Sequence, residues 1–175
     1  MNVKDQFANA ENELMKGRVK AAVDVLKSIL KNQPDEPNSL RLLGLIALGQ
    51  KDYKASVEFL EQACRSAPNF LRARLDYGRA LFFSGELKEA FEVLTRICDQ
   101  QPSAESFQML GNVQAGLGSR DDAVVSFKKS IELDPFRAQI SSGVKALGDK
   151  DSAGAERIFR EVLKRSSDHI HALIG

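Results

Sequence analysis

Tryptophan is absent from the 175 residues, and cysteine, histidine and tyrosine occur only twice each. Cys64 and Cys98 stand in no C-x-x-C pair and near no histidine, so neither a zinc site nor a redox pair is expected. His169 and His171 lie close to the end, and a separation of two points them to different sides of a helix rather than toward one metal. The chain lacks G-x-S-x-G, P-loop, H-E-x-x-H and G-x-G-x-x-G motifs. Asp121 and Asp122 read as helix N-terminal residues rather than an acid/base pair. No catalytic, cofactor-binding or metal site is expected, and the chain is not expected to be an enzyme.

Excess charge of one sign is missing as well. Lys and Arg number 25 against 24 Asp and Glu, a net charge of +1, and the two signs are interspersed, which leaves no footprint for nucleic acid or an anionic membrane. No apolar run approaches the roughly 20 residues that span a bilayer, and the start, Met1 to Gln6, has no apolar signal core. A cytoplasmic location is the expectation. Proline is scarce, with five in all, yet Pro34, Pro68, Pro102 and Pro135 recur at an almost constant interval.

That interval belongs to a longer pattern, in which a Gly is followed by Ala or Ser, a bulky residue one turn later, and a Pro. The copies are Gly44, Ser56, Leu60, Pro68; Gly78, Ala90, Leu94, Pro102; Gly111, Ala123, Phe127, Pro135; and Gly143, Ala155, Phe159, with Ser167 in place of Pro. A weaker first copy reads Ala10, Gly17, Ala22, Leu26, Pro34. Self-similarity at a period of about 34 residues marks an array of supersecondary units. Each signpost has a physical reason. Small residues on a first helix let a second helix approach closely, and the bulky residues fill the space between repeats. Proline cannot continue a helix interior and so ends each second helix, while Gly17, Gly85 and Gly118 end first helices. Cys64 and Cys98 then fall at equivalent places on successive second helices. Neighbouring helices lie about 8–10 Å apart, beyond the roughly 7 Å reach of a disulfide, so two free and mostly buried thiols are expected.

The segments Leu40-x2-Leu43-Gly44-x2-Ala47, Arg74-x2-Tyr77-Gly78-x2-Leu81 and Phe107-x2-Leu110-Gly111-x2-Gln114, each followed by its Ala/Ser and Pro, resemble the tetratricopeptide repeat. The resemblance implies an all-α, right-handed α-solenoid of five helix-turn-helix repeats, at about 3–36, 37–70, 71–103, 104–135 and 136–167, with 168–175 as the start of a truncated sixth. Turns from Pro to the next Gly shorten along the chain, which predicts a different packing angle for the last two repeats. The end reads as half a helix without a polar cap. Either the chain is cut from a longer protein, or the flank around Ile158 and Val162 is covered by a second copy in a homodimer.

The family resemblance further implies a protein-protein interaction scaffold whose first helices line a concave groove that holds a peptide or protein segment. On that scheme the groove residues are Arg41, Leu45, Arg72, Leu75, Arg79, Phe82, Phe83, Gln108, Asn112 and Arg137, with Phe7, Glu11, Leu14, Asn38, Leu48 and Ile140 beside them. The arginines could pair with carboxylates, while Leu75, Phe82 and Phe83 would seat an apolar side chain, so the expected partner is an acidic-hydrophobic peptide. The Lys, Asn, Asn, Lys, Arg clamp by which some family members hold a chaperone C-terminus finds Arg41, Leu45, Asp76, Glu105 and Met109 in its places, and a shift of register gives Phe7, Glu11, Leu42, Arg72 and Asp76. Acidic residues there disfavour that ligand. The alternative is an N-terminal arm. The chain is similar to the repeat segments that precede sulfotransferase domains in bacterial proteins, where the array would present a substrate to a catalytic domain beyond residue 175.

Overall fold

A computed structural model describes residues 2–134 together with 136, 139, 142, 149, 151–154, 156–158, 160–162 and 164. The eight helices over residues 3–133 are α1 (Val3–Met15), α2 (Val19–Asn32), α3 (Pro37–Gly49), α4 (Tyr53–Ser66), α5 (Leu71–Ser84), α6 (Leu87–Gln100), α7 (Ala104–Gly116) and α8 (Arg120–Leu133). They pair as first and second helices, α1 with α2 through α7 with α8, and each second helix also packs on the following first helix. The result is an all-α solenoid. Expectations that rest on Pro135, Arg137, Ile140, Gly143, Ala155, Phe159, Ser167, His169 and His171, including the altered angle of the last repeats and the start of a sixth, lie outside the described residues.

Turns inside the repeats are built alike. The backbone N–H groups of Arg18, Asp52, Glu86 and Ser119 donate to the carbonyls of Glu13, Ala47, Leu81 and Gln114 at 2.8–2.9 Å. This is the bond that closes a helix when the preceding residue turns left-handed. Gly17, Gly85 and Gly118 take that conformation, at φ 73°, 88° and 86°, and in the second repeat Lys51 takes it at φ 62°. Second helices end at Asn32, Ser66 and Gln100, two residues before a proline. The links 33–36 and 67–70 have one residue more than 101–103. In the shorter link Ser103 caps α7: its Oγ accepts from the Ser106 N–H while the Ser106 Oγ accepts from the Ser103 N–H.

Close approach at the repeat glycines is real and specific. A Cβ on Gly44 would lie 2.5 Å from Leu60 Cγ, one on Gly78 would lie 2.9 Å from Leu94, and one on Gly111 would lie 2.6 Å from Phe127. The bulky residue of the signature therefore lies on the glycine of its own repeat. Leu26, Leu60 and Leu94 are fully buried, as are Ala22, Ser56 and Ala90 one turn before them. Leu60, Leu81, Leu94, Ile97 and Val113 belong to one core that runs from the second repeat to the fourth. Cys98 is buried, Cys64 half-buried, and both are free thiols. Burial pushes the Cys64 thiol up to about 11 and the Cys98 thiol above its ordinary value, so both are poor nucleophiles.

Among the described residues α3 also lies against α5, and α5 against α7, whereas no second helix comes comparably near the next. Elements crowd on the inside of an arc and spread on its outside. First helices therefore form the inner layer. On the flank where a second copy was expected to pack, Val162 is 8% exposed and Ile158 half-buried within the single chain.

Candidate functional site

The inner layer between α3 and α5 holds two depressions of opposite character. The first, of about 270 Å³, is polar and lined by Arg41, Arg72, Leu75, Asp76, Arg79 and Glu105. Asp76 is 5% exposed, a burial that a lone carboxylate tolerates only when paired. Arg41 Nε donates to its Oδ2 at 2.6 Å, and Arg79 Nη1 lies 3.5 Å from its Oδ1. Arg79 reaches on to Glu105 Oε1 at 2.6 Å, and the Arg41 guanidinium lies 5.8 Å from the Phe70 ring centre. Burial raises the Asp76 carboxyl above its ordinary value, with Arg41 and Arg79 opposing it. The network ties three successive repeats together. Arg72, exposed at the same depression, makes no ion pair among the described residues, so three guanidiniums face two carboxylates.

The second depression, of about 390 Å³, is apolar and lined by Leu45, Leu48, Gly49, Lys51, Tyr53 and Phe83. Phe83 is 49% exposed. Its ring stacks on Tyr53 at 6.0 Å and 15°, and Phe82 meets it edge-on at 5.3 Å. Two aromatic contacts thus hold a large apolar surface against water, where a lone phenylalanine would turn inward.

The residues expected at the groove do not share one fate. Arg41, Arg72, Leu75 and Arg79 line the polar depression, and Leu45 and Phe83 the apolar one. Leu75, at 8% exposure, also belongs to the interior, and Phe82 packs half-buried into the inter-repeat core. Gln108 and Asn112 sit half-buried on α7, away from both depressions, and Arg137 lies outside the described residues. Phe7 and Asn38 line a separate hollow of about 700 Å³ between the start of α1 and the α2–α3 link. Sequence reasoning missed Lys51 and Tyr53, and it weighed Asp76 and Glu105 only as repulsive charges. A signal was present for the last pair, since Arg72 and Glu105 occupy the same place in successive repeats and Asp76 follows Arg72 by one turn.

On the outer side, Arg74 and Arg96 border a smaller cleft of about 170 Å³ with Cys64 and Tyr77. Tyr77 Oη donates to Glu89 at 2.6 Å, and burial, then Glu89, pushes its phenol well above the ordinary value. Among the described residues no group of three or more His, Cys, Asp or Glu is placed to hold a metal. No described helix is long and apolar enough to cross a membrane.

Comparison with known proteins agrees with this architecture. Three family models described as tetratricopeptide repeat match residues 7–70, 47–113 and 104–137. The chain is 27% identical over 146 residues to DnaJ homolog subfamily C member 7 of Homo sapiens, an alignment covering 74% of this chain and 30% of that protein. The chain thus spans about a third of that relative. Among solved structures it is similar to MamA 41-end from Desulfovibrio magneticus RS-1, with a TM-score of 0.70, 21% identity, and 94% of this chain and 95% of that one covered. It is likewise similar to TTC0263, a thermophilic TPR protein of Thermus thermophilus, with a TM-score of 0.68, 20% identity, and 98% and 95% covered.

Proposed function

The chain is a tetratricopeptide-repeat protein, and on that premise we propose that it is a protein-interaction scaffold that holds an acidic-hydrophobic segment of a partner against α3 and α5. Repeat arrays use their concave surface for binding because it presents many side chains over a long, shape-fixed face. The observation that carries the reading is the apolar depression around Phe83, an exposed aromatic braced by Tyr53 on the inner layer. Beside it, Arg72 supplies a charge left unpaired among the described residues. Arg41 and Arg79 serve a different purpose in this reading: committed to Asp76 and Glu105, they fix the angle between repeats and so the shape of the groove.

A photo-reactive benzoylphenylalanine placed at Leu48 on the inner face, or at Glu92 on the exposed face of α6, tests this in cells that express the protein. Partners should be trapped from position 48 and not from position 92. Equal yields, or trapping from position 92 alone, would contradict groove binding.

A further inference from the structure

The two depressions lie between the same pair of helices, and their separation sets a requirement on whatever occupies both. From Asp76, at the middle of the polar depression, to Phe83 is two turns of α5, and from Arg72 to Phe83 is three. At 1.5 Å per helical residue these are about 10 and 16 Å. An extended peptide covers about 3.3 Å per residue, so about three residues reach the middle of the polar depression and about five reach Arg72.

We propose that the groove recognises a two-point motif: a large apolar or aromatic side chain seated among Leu45, Leu48, Tyr53 and Phe83, and a carboxylate about five residues away held by Arg72. The proposal rests on the groove reading above and deepens it by naming the ligand's chemistry and spacing. Charge decides the sign of the second point. Arg41 and Arg79 are neutralised by Asp76 and Glu105, which leaves Arg72 as the uncompensated charge of the polar depression, and a planar guanidinium grips a carboxylate in a bidentate fork. Lys51, on the wall of the apolar seat, makes no ion pair among the described residues. It therefore favours a further acidic residue immediately beside the apolar one. A basic ligand would meet Arg72 and Lys51 at either end and be rejected.

The test is selection of random displayed decapeptides against the full chain at low salt, followed by affinity measurements on blocked synthetic copies of the enriched peptides. Each is compared with its Glu/Asp→Gln/Asn version and with a version whose acid is moved to one residue from the apolar side chain. Enriched peptides should carry the motif, lose about tenfold on amidation or on shortening the spacing, and lose the same on Arg72→Gln. The amidated peptides should not respond to Arg72→Gln. Arg72 and Phe83 are exposed, and circular dichroism checks that their variants fold. Peptides that weaken on Phe83→Ala but carry no acid at that spacing would overturn the two-point motif and leave groove binding standing. Peptides indifferent to both variants, or no enrichment, would overturn the groove reading itself.

Discussion

The third and fourth repeats obey the same spacing but are filled with different matter. In the third, α5 and α6 enclose Leu81, Leu94 and Ile97, all fully buried, with Ala80 and Ala90 between them. In the fourth, α7 and α8 enclose Leu110 and Val113 alongside Ser106, Gln114, Ser126 and Ser130, all at 9% exposure or less. The hydroxyl of Ser126 donates to Gln114 Oε1 at 2.7 Å, and that of Ser130 to the Ala104 carbonyl at 2.7 Å. Meanwhile α8 leaves Val124, Val125, Ile131 and Leu133 about half exposed. Small residues are what the repeat geometry demands at its contact points, but burial of large apolar side chains is what stabilises it. Hydrogen bonds that merely replace bonds to water contribute about 1 kcal/mol each, less than a buried leucine does. The third repeat is thus the anchor and the fourth the weaker flank, and the groove between α3 and α5 lies on the anchor.

The largest expected effect sharpens that contrast. Leu94→Ala should cost about 2–5 kcal/mol through lost burial and a residual cavity, whereas Val124→Ala, at 51% exposure, should stay within about 0.5 kcal/mol. Urea titration measures both, and similar costs would erase the distinction. Next comes Gly78→Leu, which drives a side chain into Leu94 at 2.9 Å and should cost about 1–3 kcal/mol or more. Gly111→Leu should cost less, because Phe127 is only half-buried and has room to swing outward.

Smaller effects probe the polar filling. Ser126→Ala should cost about 1–2 kcal/mol by stranding Gln114, and adding Gln114→Leu should recover most of it, since removing both partners is far cheaper than removing one. Thermal melts of the single and double variants decide this. In the second repeat, Lys51→Gly should add about 0.5–1 kcal/mol by relieving a left-handed non-glycine residue, a gain read as a higher melting temperature.

Two carboxylates should differ in sign with pH. At Glu36 burial works upward, but hydrogen bonds from Ser39 and Asn38 prevail and hold the group below its ordinary 4.5. It therefore contributes stability above the unfolded value that is lost as pH falls through its lowered folded value. Asp76, raised chiefly by burial, does the opposite: its contribution is complete below the unfolded value and is lost as pH rises through the raised one. Accordingly the gap between the native chain and Glu36→Gln should close on acidification below about 4.5, as measured by urea midpoints at successive pH values.

The repeat and its helices were legible because backbone sterics enforce them. Gly78 is the place where Leu94 must fit, Gly85 is left-handed, and Pro102 follows the last turn of α6. Lys51 shows the limit, since a residue that tolerates a left-handed turn at a cost carries no compositional mark of it. The site was legible only in outline. Arg41 and Arg79 could be placed on the inner face, but their engagement depends on Asp76 and Glu105 reaching across repeat boundaries at 2.6 Å, a distance no periodicity encodes. Phe82 and Phe83 are adjacent in sequence and opposite in fate, because a helix turns about 100° between them.

Native-state amide exchange of the free chain tests most directly the claim that apolar filling, and not the shared spacing, sets where this array is firm. Amides in α5 and α6 should exchange only through the largest opening, and those in α7 and α8 through a smaller one at lower denaturant. Protection that is equal across the four helices, or greater in α7 and α8, would contradict the account.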